Sequence, residues 1–376
     1  MSDEFRLLVV DDNDGFLKTC TDTLDVYKKK NGREAQITKC TTLDEAFSKL
    51  DNFFDGAIID MKLAGEGDEG KQVIKRITDS NFRIPIAIVT GTPSVVDDNS
   101  SCIGVFAKDQ LDLPELFDTF WGIYDTGLTR VMNGRGTIEK ELSKVFSESL
   151  LPQRAKWVAL CKSTKNPSKT EEALLRYALT NLLQLLSKDG VSYLPEEFYL
   201  CPPLTDGIHP GRIVQEKNGI RRFVVLNPAC DLVARTNGDC GENETESPQE
   251  DTRDNLQCCN TDRILLVEID PLSSVFPELP SLSGLSREKE NQVKDAFKNK
   301  KALYYHWLPK NDIFPDSFLN FRKLSTCSAD EFHNGFTALG IEISPHFVKD
   351  MVARFSSYYG RQGQPEIDTD RCFPKT

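Results

Sequence analysis

Four short apolar runs each close on a polar residue, and this recurrence constrains the fold more than any other feature of the chain. Phe5-Arg6-Leu7-Leu8-Val9-Val10 runs into Asp11-Asp12-Asn13, and Gly56-Ala57-Ile58-Ile59 into Asp60. Ile84-Pro85-Ile86-Ala87-Ile88-Val89 runs into Thr90, and Ile103-Gly104-Val105-Phe106-Ala107 into Lys108. Apolar runs without polar alternation mark strands buried on both faces. Ala35 to Cys40 adds a short second strand in chain order.

Helical patterns lie between these runs. Asp14 to Lys30 carries Phe16, Leu17, Cys20 and Leu24 at helical spacing and ends in Lys28-Lys29-Lys30, which suits the helix dipole. Thr42 with Glu45 makes an approximate capping box for a helix that turns Leu43, Ala46, Phe47 and Leu50 inward. An acidic, Gly-rich loop from Ala64 to Gly70 precedes a helix holding Val73, Ile74 and Ile77, and a last helix runs from about Leu113 to Tyr124. Strands alternating with helices predict an α/β fold, a doubly wound five-stranded parallel sheet with helices on both faces.

In open α/β sheets chemistry collects at the carboxyl ends of the strands. Asp60 alone reads as a turn-starting residue; Asp11, Asp12, Thr90 and Lys108 at the neighbouring strand ends displace that reading. A carboxylate can attack phosphorus and form an aspartyl phosphate. Three acids at one edge repel one another, and Mg²⁺, an ion that prefers oxygen ligands, would relieve the repulsion and neutralise phosphoryl oxygens. The Thr90 hydroxyl and the Lys108 ammonium are suited to two further phosphoryl oxygens.

On these residues, the pair Asp11-Asp12 after strand one, Asp60 after strand three, Thr90 after strand four and Lys108 after strand five, residues 5 to 125 resemble the receiver domain of two-component response regulators. The resemblance implies a flavodoxin-like sheet and Asp60 as acceptor of a phosphoryl group from a histidine kinase or phosphotransfer protein. It implies Asp11, Asp12 and Asp60 as Mg²⁺ ligands with the backbone carbonyl of Lys62, and Thr90 with Lys108 as the switch pair. Three positions depart from the family pattern: Asp109 stands where Pro is usual, Val105 where an aromatic residue is usual, and Ala64 where Pro is usual. Phe106 adjoins Val105 but points to the other face of a strand. These departures leave the phosphorylation chemistry intact and bear on how a signal leaves the site.

Past the last helix, Gly127, Asn133, Gly134 and Gly136 loosen the chain and suggest a boundary, giving a receiver over 1–125, a helical linker over 126–190 and an α+β domain over 191–376. Thr137 to Leu150 carries Ile138, Leu142, Val145, Phe146 and Leu150 on one helical stripe, with Pro152 interrupting. Ser168 with Glu171 forms a capping box for a helix to about Lys188, stopping at Asp189-Gly190, with Leu175, Leu179, Leu182 and Leu186 on one side. These helices suit dimerisation or signal transmission, or packing on the domain that follows.

In that domain, runs at 212–214, 222–226, 263–269 and 302–308 read as strands, a polar acidic excursion spans Asn237 to Asp262, a polar helix runs from Ser286 to Lys300, and Ser344 caps a final helix. A small barrel with helices is one form such an α+β domain takes. Asn227-Pro228-Ala229-Cys230-Asp231-Leu232 is its sharpest local feature. A Cys230 nucleophile needs a base such as His209 beside it, and a buried structural cysteine is the plainer reading. Cys240, Cys258 and Cys259 are its candidate partners for zinc, but the chain holds no C-x-x-C pair. His209, His306, His333 and His346 show no ligand spacing. Through the Asn227–Leu232 turn and the ending Arg361-Gln362-Gly363-Gln364-Pro365, the tail is similar to uncharacterised output regions attached to receivers in bacterial defence-type conflict systems, which implies no activity.

At 376 residues the chain suggests two or three domains. A formal charge of -12 argues against a phosphate-coating nucleic-acid binder and leaves a local basic patch open. Eleven cysteines with no basic n-region after Met1 point to reduced thiols and a cytoplasmic protein. No apolar run approaches a membrane span of about 20 residues. There is no Walker-type loop and no helix-turn-helix with a basic recognition helix. The expected function is a response regulator phosphorylated on Asp60 with Mg²⁺, controlling a carboxy-terminal domain that contacts a protein effector or a second copy. The alternatives are a phosphate sink and a phosphorylation-gated enzyme using Cys230; otherwise no catalysis is expected beyond the receiver's own phosphorylation and dephosphorylation.

Overall fold

The computed structural model describes residues 4–63, 67–91, 102–186, 192–205, 207–232, 261–278 and 283–361. The chain divides into two compact units, Met1–Asp189 and Gly190–Thr376.

The first unit is built on a parallel sheet of β1 (Phe5–Val10), β2 (Ala35–Cys40), β3 (Gly56–Ile59), β4 (Ile86–Thr90) and β5 (Cys102–Ala107). The strand order β2-β1-β3-β4-β5 is that of a flavodoxin-like doubly wound sheet. Alternation along each strand explains the continuous apolar runs. Leu7, Val9, Ile58, Ala87 and Val89 pack with Leu17, Phe117, Phe120 and Trp121 of α1 (Asp14–Asn31) and α4 (Leu113–Asp125). Leu8, Val10, Ile59, Ile86 and Ile88 pack on the other face with Ala46 of α2 (Leu43–Lys49) and Val73, Ile74 and Ile77 of α3 (Glu69–Asp79). Both faces are covered, so both sets of side chains are apolar.

Helix starts follow capping chemistry, with one shift. The Asn13 side chain accepts from Phe16 N–H, and Thr42 from Glu45 N–H. The expected reciprocal bond of Glu45 goes to Thr41 N–H, one residue early.

The stretch read as a loosened linker belongs to the first unit and is tied to it. After α5 (Leu128–Met132), Asn133 Nδ2 donates to Asp55 Oδ1 at 3.2 Å, Arg135 Nη2 pairs with Asp55 Oδ2, and Gly134 N–H donates to Asn52 O at 2.7 Å. Arg83 of the loop before β4 pairs with Glu139 of α6 (Thr137–Lys144) at 2.5 Å. Gly134 and Gly136 are required by close approach: a Cβ would lie 2.9 Å from Asn52 O at the first and 2.5 Å from Val131 O at the second.

The helix expected to run to Leu150 ends as α at Lys144 and continues as a π turn over Val145–Leu150 and a short 3₁₀ turn over Leu151–Gln153. Pro152 has no N–H to give the preceding turn, which accounts for the irregularity. Two antiparallel helices follow, α7 (Arg154–Thr164) and α8 (Pro167–Leu186). The expected Ser168 cap is replaced by Asn166, whose side chain accepts from Lys169 N–H at 3.4 Å, with Pro167 at the first helical position. The expected stop at Asp189-Gly190 lies outside the described residues.

The second unit is a seven-stranded antiparallel sheet in the order β10-β11-β9-β8-β7-β12-β6. The four expected runs appear as β7 (Arg212–Glu216), β8 (Arg222–Val225), β9 (Ile264–Pro271) and β10 (Tyr305–Leu308). Three further strands were not expected: β6 (Tyr199–Leu200), β11 (Ser317–Cys327) and β12 (Phe336–Ile343). Their sequence alternation is broken by bulges, after Leu319 in β11 and after Ala338 in β12, where Gly340 takes φ 66°. The barrel reading is corrected in part. Edge strands β6 and β10 do not pair, but the Tyr199 hydroxyl donates to Pro309 O at 2.8 Å. The sheet curls without closing its backbone ladder. Its concave face, with Ile213, Val224, Val267, Leu319 and Phe321, receives Val348 and Met351 of the last helix (Pro345–Tyr359).

The polar helix spans Arg287–Phe297 and is capped by Ser286. Ser344 occupies the cap position of the last helix, but its hydroxyl donates to Glu197 O. Among the described residues no helix is long and apolar enough to cross a membrane.

Candidate functional site

β1, β3, β4 and β5 deliver four groups to one end of the parallel sheet. β1 and β3 pair in register up to Val10 and Ile59, so the residues that follow, Asp11 and Asp60, emerge side by side. Asp60 N–H donates to Val10 O, and Asp11 N–H to Cys40 O of β2. Thr90 ends β4, and its carbonyl accepts from Lys108 N–H at 3.1 Å. Asp11, Asp60 and Thr90 are all at least 95% buried, and Asp12 is exposed.

The Lys108 ammonium bridges the two buried acids, 2.5 Å from Asp60 Oδ2 and 2.8 Å from Asp11 Oδ2, and also stands 5.4 Å from the Phe16 ring centroid. Burial alone would lower its pKa, but its donation to Asp60 and its ion pair with Asp11 outweigh this and hold the ammonium above its ordinary range. Burial pushes the Asp11 carboxyl up, against the pull of Lys108 and of Asn13 N–H. Asp60 Oδ1 accepts from Lys62 N–H at 3.3 Å, which turns the chain immediately after the acid.

Asp11, Asp12 and Asp60 can each offer an oxygen within 4.8 Å of the others. Three carboxylates against one ammonium leave a charge of -2. Asp11 Oδ2 is buried, and the Lys108 ammonium at 2.8 Å is its one partner among the described residues. A buried oxygen in that state, in an all-oxygen donor set of net charge -2, fits a hard divalent cation such as Mg²⁺.

One residue of the site escaped sequence reading. Gly70, taken as loop, lies in the first turn of α3 so close to the acid that a Cβ would fall 2.2 Å from Asp60 O. Any larger residue would push the backbone that carries Asp60. The Gly-rich loop signalled irregularity, but nothing in it singled out this glycine.

The departures noted above fall as follows. Val105 is 40% exposed on β5, paired with Ile88 of β4, and Phe106 on the opposite face packs into the α1–α4 core. Asp109 is exposed just past Lys108, and Ala64 lies outside the described residues. In the second unit, the Cys230 thiol is exposed and donates to Asp231 Oδ1 at 3.6 Å, which corrects the buried reading, and His209 Nε2 contacts Thr205 Oγ1 at 3.1 Å. Cys240, Cys258 and Cys259, the other candidate zinc ligands, lie outside the described residues.

No family model and no curated protein matches the chain. Solved structures do. Its amino-terminal third is similar to response-regulator receiver domains. A CheY-like response regulator receiver domain protein from Methanospirillum hungatei shares 23% identity, with the match covering 32% of this chain and 94% of that one at a TM-score of 0.28. A response regulator protein from Thermotoga maritima, solved in complex with Mg²⁺ and BeF, shares 19% identity over 32% of this chain and 98% of that one at a TM-score of 0.25. A response regulator receiver protein from Sinorhizobium medicae shares 16% over 32% and 95%, at a TM-score of 0.27. The fold assignment rests on the strand order and crossovers of this chain itself.

Proposed function

We propose that the first unit is a phosphoacceptor of the response-regulator type, and that Asp60 takes a phosphoryl group from a histidine kinase or a phosphotransfer protein. The observation that supports this best is the buried Asp60–Lys108–Asp11 cluster, which gathers an acceptor carboxylate, a counter-cation and a metal-suited donor set at the carboxyl ends of parallel strands. A carboxylate oxygen of Asp60 forms the new bond to phosphorus while the bond from phosphorus to the donor's imidazole nitrogen breaks, and the leaving imidazole takes up a proton. Asp11, Asp12, Asp60 and the carbonyl of Lys62 would hold Mg²⁺, which when bound neutralises phosphoryl oxygens. Lys108, released from the Asp60 carboxylate as it becomes an acyl phosphate, supplies its ammonium to a phosphoryl oxygen, and the Thr90 hydroxyl bonds another.

In this reading residues 1–125 are the receiver, 126–190 a helical connection and 191–376 an interaction domain that answers through a protein effector or a second copy. A histidine-kinase donor and reduced thiols support, in this reading, a cytoplasmic location. The exposed Val105, where an aromatic residue would report phosphorylation, favours one second reading, a phosphate sink that drains a kinase without passing the signal on.

Incubation with acetyl phosphate and Mg²⁺ should label the wild type on a phosphate-affinity gel and leave Asp60→Asn unlabelled. Labelling that persists in Asp60→Asn overturns the assignment. Phosphorylation that leaves both oligomeric state and proteolysis of the second unit unchanged selects the sink.

A further inference from the structure

In a chain of net charge -12, exposed arginines are expected beside carboxylates, as Arg221 stands beside Glu216 and Arg263 beside Glu331. Arg322 and Arg361 depart from this. Among the described residues neither forms an ion pair; each lies on a tyrosine ring. Arg322 Cζ is 4.1 Å from the centroid of Tyr304, and Arg361 Cζ is 4.4 Å from that of Tyr358.

The two stacks form one surface. The Tyr304 and Tyr358 rings are 6.2 Å apart. Tyr359, half exposed, extends the surface at 5.1 Å from Tyr358. Rigid elements hold it: the Tyr359 hydroxyl donates to Phe321 O, and Arg354 Nη2 donates to both Asn299 O and Tyr305 O. The neighbouring turn adds exposed Lys298, Lys300 and Lys301. The nearby acids Glu268 and Asp270 are occupied by Lys323. Asp350, two turns before Tyr358 on the last helix, and Asp295, in the last turn of the polar helix beside the lysines, are exposed acids.

We infer that this surface binds single-stranded nucleic acid. Guanidinium groups held flat on aromatic rings present a planar face to an unpaired base and N–H edges to phosphate, and tyrosine rings stack bases without regard to sequence. An acidic peptide would need the cations but not the rings. A duplex hides its base faces from such a platform. Local charge and net charge separate here: the chain repels polyanions as a whole while this face attracts them.

The test uses the full-length protein and fluorescence anisotropy of a labelled 15-mer of deoxythymidine, repeated with the uridine 15-mer. Binding should weaken with salt, with log K falling by roughly 0.7 per phosphate contacted for each unit of log salt. Tyr358→Ala should lower affinity by roughly 5- to 150-fold, the range for losing one base stack. Arg361→Ala, at the exposed end of the last helix, should flatten the salt slope by about 0.7. Each variant's unfolding temperature is measured alongside; should Tyr358→Ala lose its transition, Arg361→Ala and Arg322→Ala carry the test. Absence of binding at 100 µM protein in low salt overturns the inference. So does a polyglutamate of equal charge that competes as well as the oligonucleotide, or affinity unchanged in all folded variants.

Discussion

Removing Arg135 should cost the first unit a large part of its stability. Asp55 is 1% exposed and takes Arg135 and Arg6 N–H on one oxygen and Asn133 Nδ2 on the other. Arg135→Ala deletes the only countercharge within 4 Å of Asp55 among the described residues and leaves a buried carboxylate with two neutral donors. One-sided loss of a buried ion pair costs about 3–5 kcal/mol. The Arg135 side chain keeps 29% of its surface in water, which screens the pair and brings the expectation to about 2–3 kcal/mol. With a urea slope of about 2 kcal/mol/M, the unfolding midpoint should fall by about 1–1.5 M. Trp307→Phe, in the second unit, leaves Trp121 and Trp157 to report the first unit by fluorescence. In an Asp55→Asn background the same Arg135→Ala change should cost much less, because no buried charge is stranded, and the difference is the coupling energy. A midpoint shift under about 0.3 M, or an equal cost in both backgrounds, would refute the reasoning.

Two further outcomes follow from charged and buried groups. Lys108 is the only ammonium or guanidinium within 4 Å of Asp11 and Asp60 among the described residues; Lys108→Met should therefore raise the melting-temperature gain on adding Mg²⁺, and Asp12→Asn should reduce it, as differential scanning fluorimetry with and without the ion will show. His306 is 2% exposed, and burial followed by the adjacent Arg354 lowers its pKa to about 3. The unfolded chain takes up this proton near pH 6.5, so the contribution is complete above that pH and erodes by up to about 1.4 kcal/mol per pH unit between 6.5 and 3. Urea midpoints of the second unit, followed by Trp307 fluorescence at pH 7.5, 6 and 5, should fall in the wild type and flatten in His306→Phe; parallel pH profiles would rule His306 out.

Much of the first unit was legible because its strands are buried on both faces. Each appears as an uninterrupted apolar run, and the residues ending these runs meet at one end of the sheet by the geometry of parallel strands. The glycines after α4 suggested a boundary in the sequence, yet Gly134 and Gly136 are required by close approach, which selects glycine as flexibility does. Gly136 is pressed against Val131 O, and the segment around it is held by Asp55, which lies 80 positions from Arg135. β11 and β12 were hidden because a bulge shifts the alternation on which strand recognition depends.

The sequence by itself determined the parallel α/β unit and the strand ends that carry Asp11, Asp12, Asp60, Thr90 and Lys108, since burial pattern and connectivity are local properties of the chain. Only the tertiary structure decided that Lys108 bridges Asp60 and Asp11, that Asp55 anchors the helical connection, and that Arg322 and Arg361 meet on tyrosines instead of carboxylates. Those facts are pairings between distant residues. Their energies depend on distance and desolvation, which a linear order of residues does not specify.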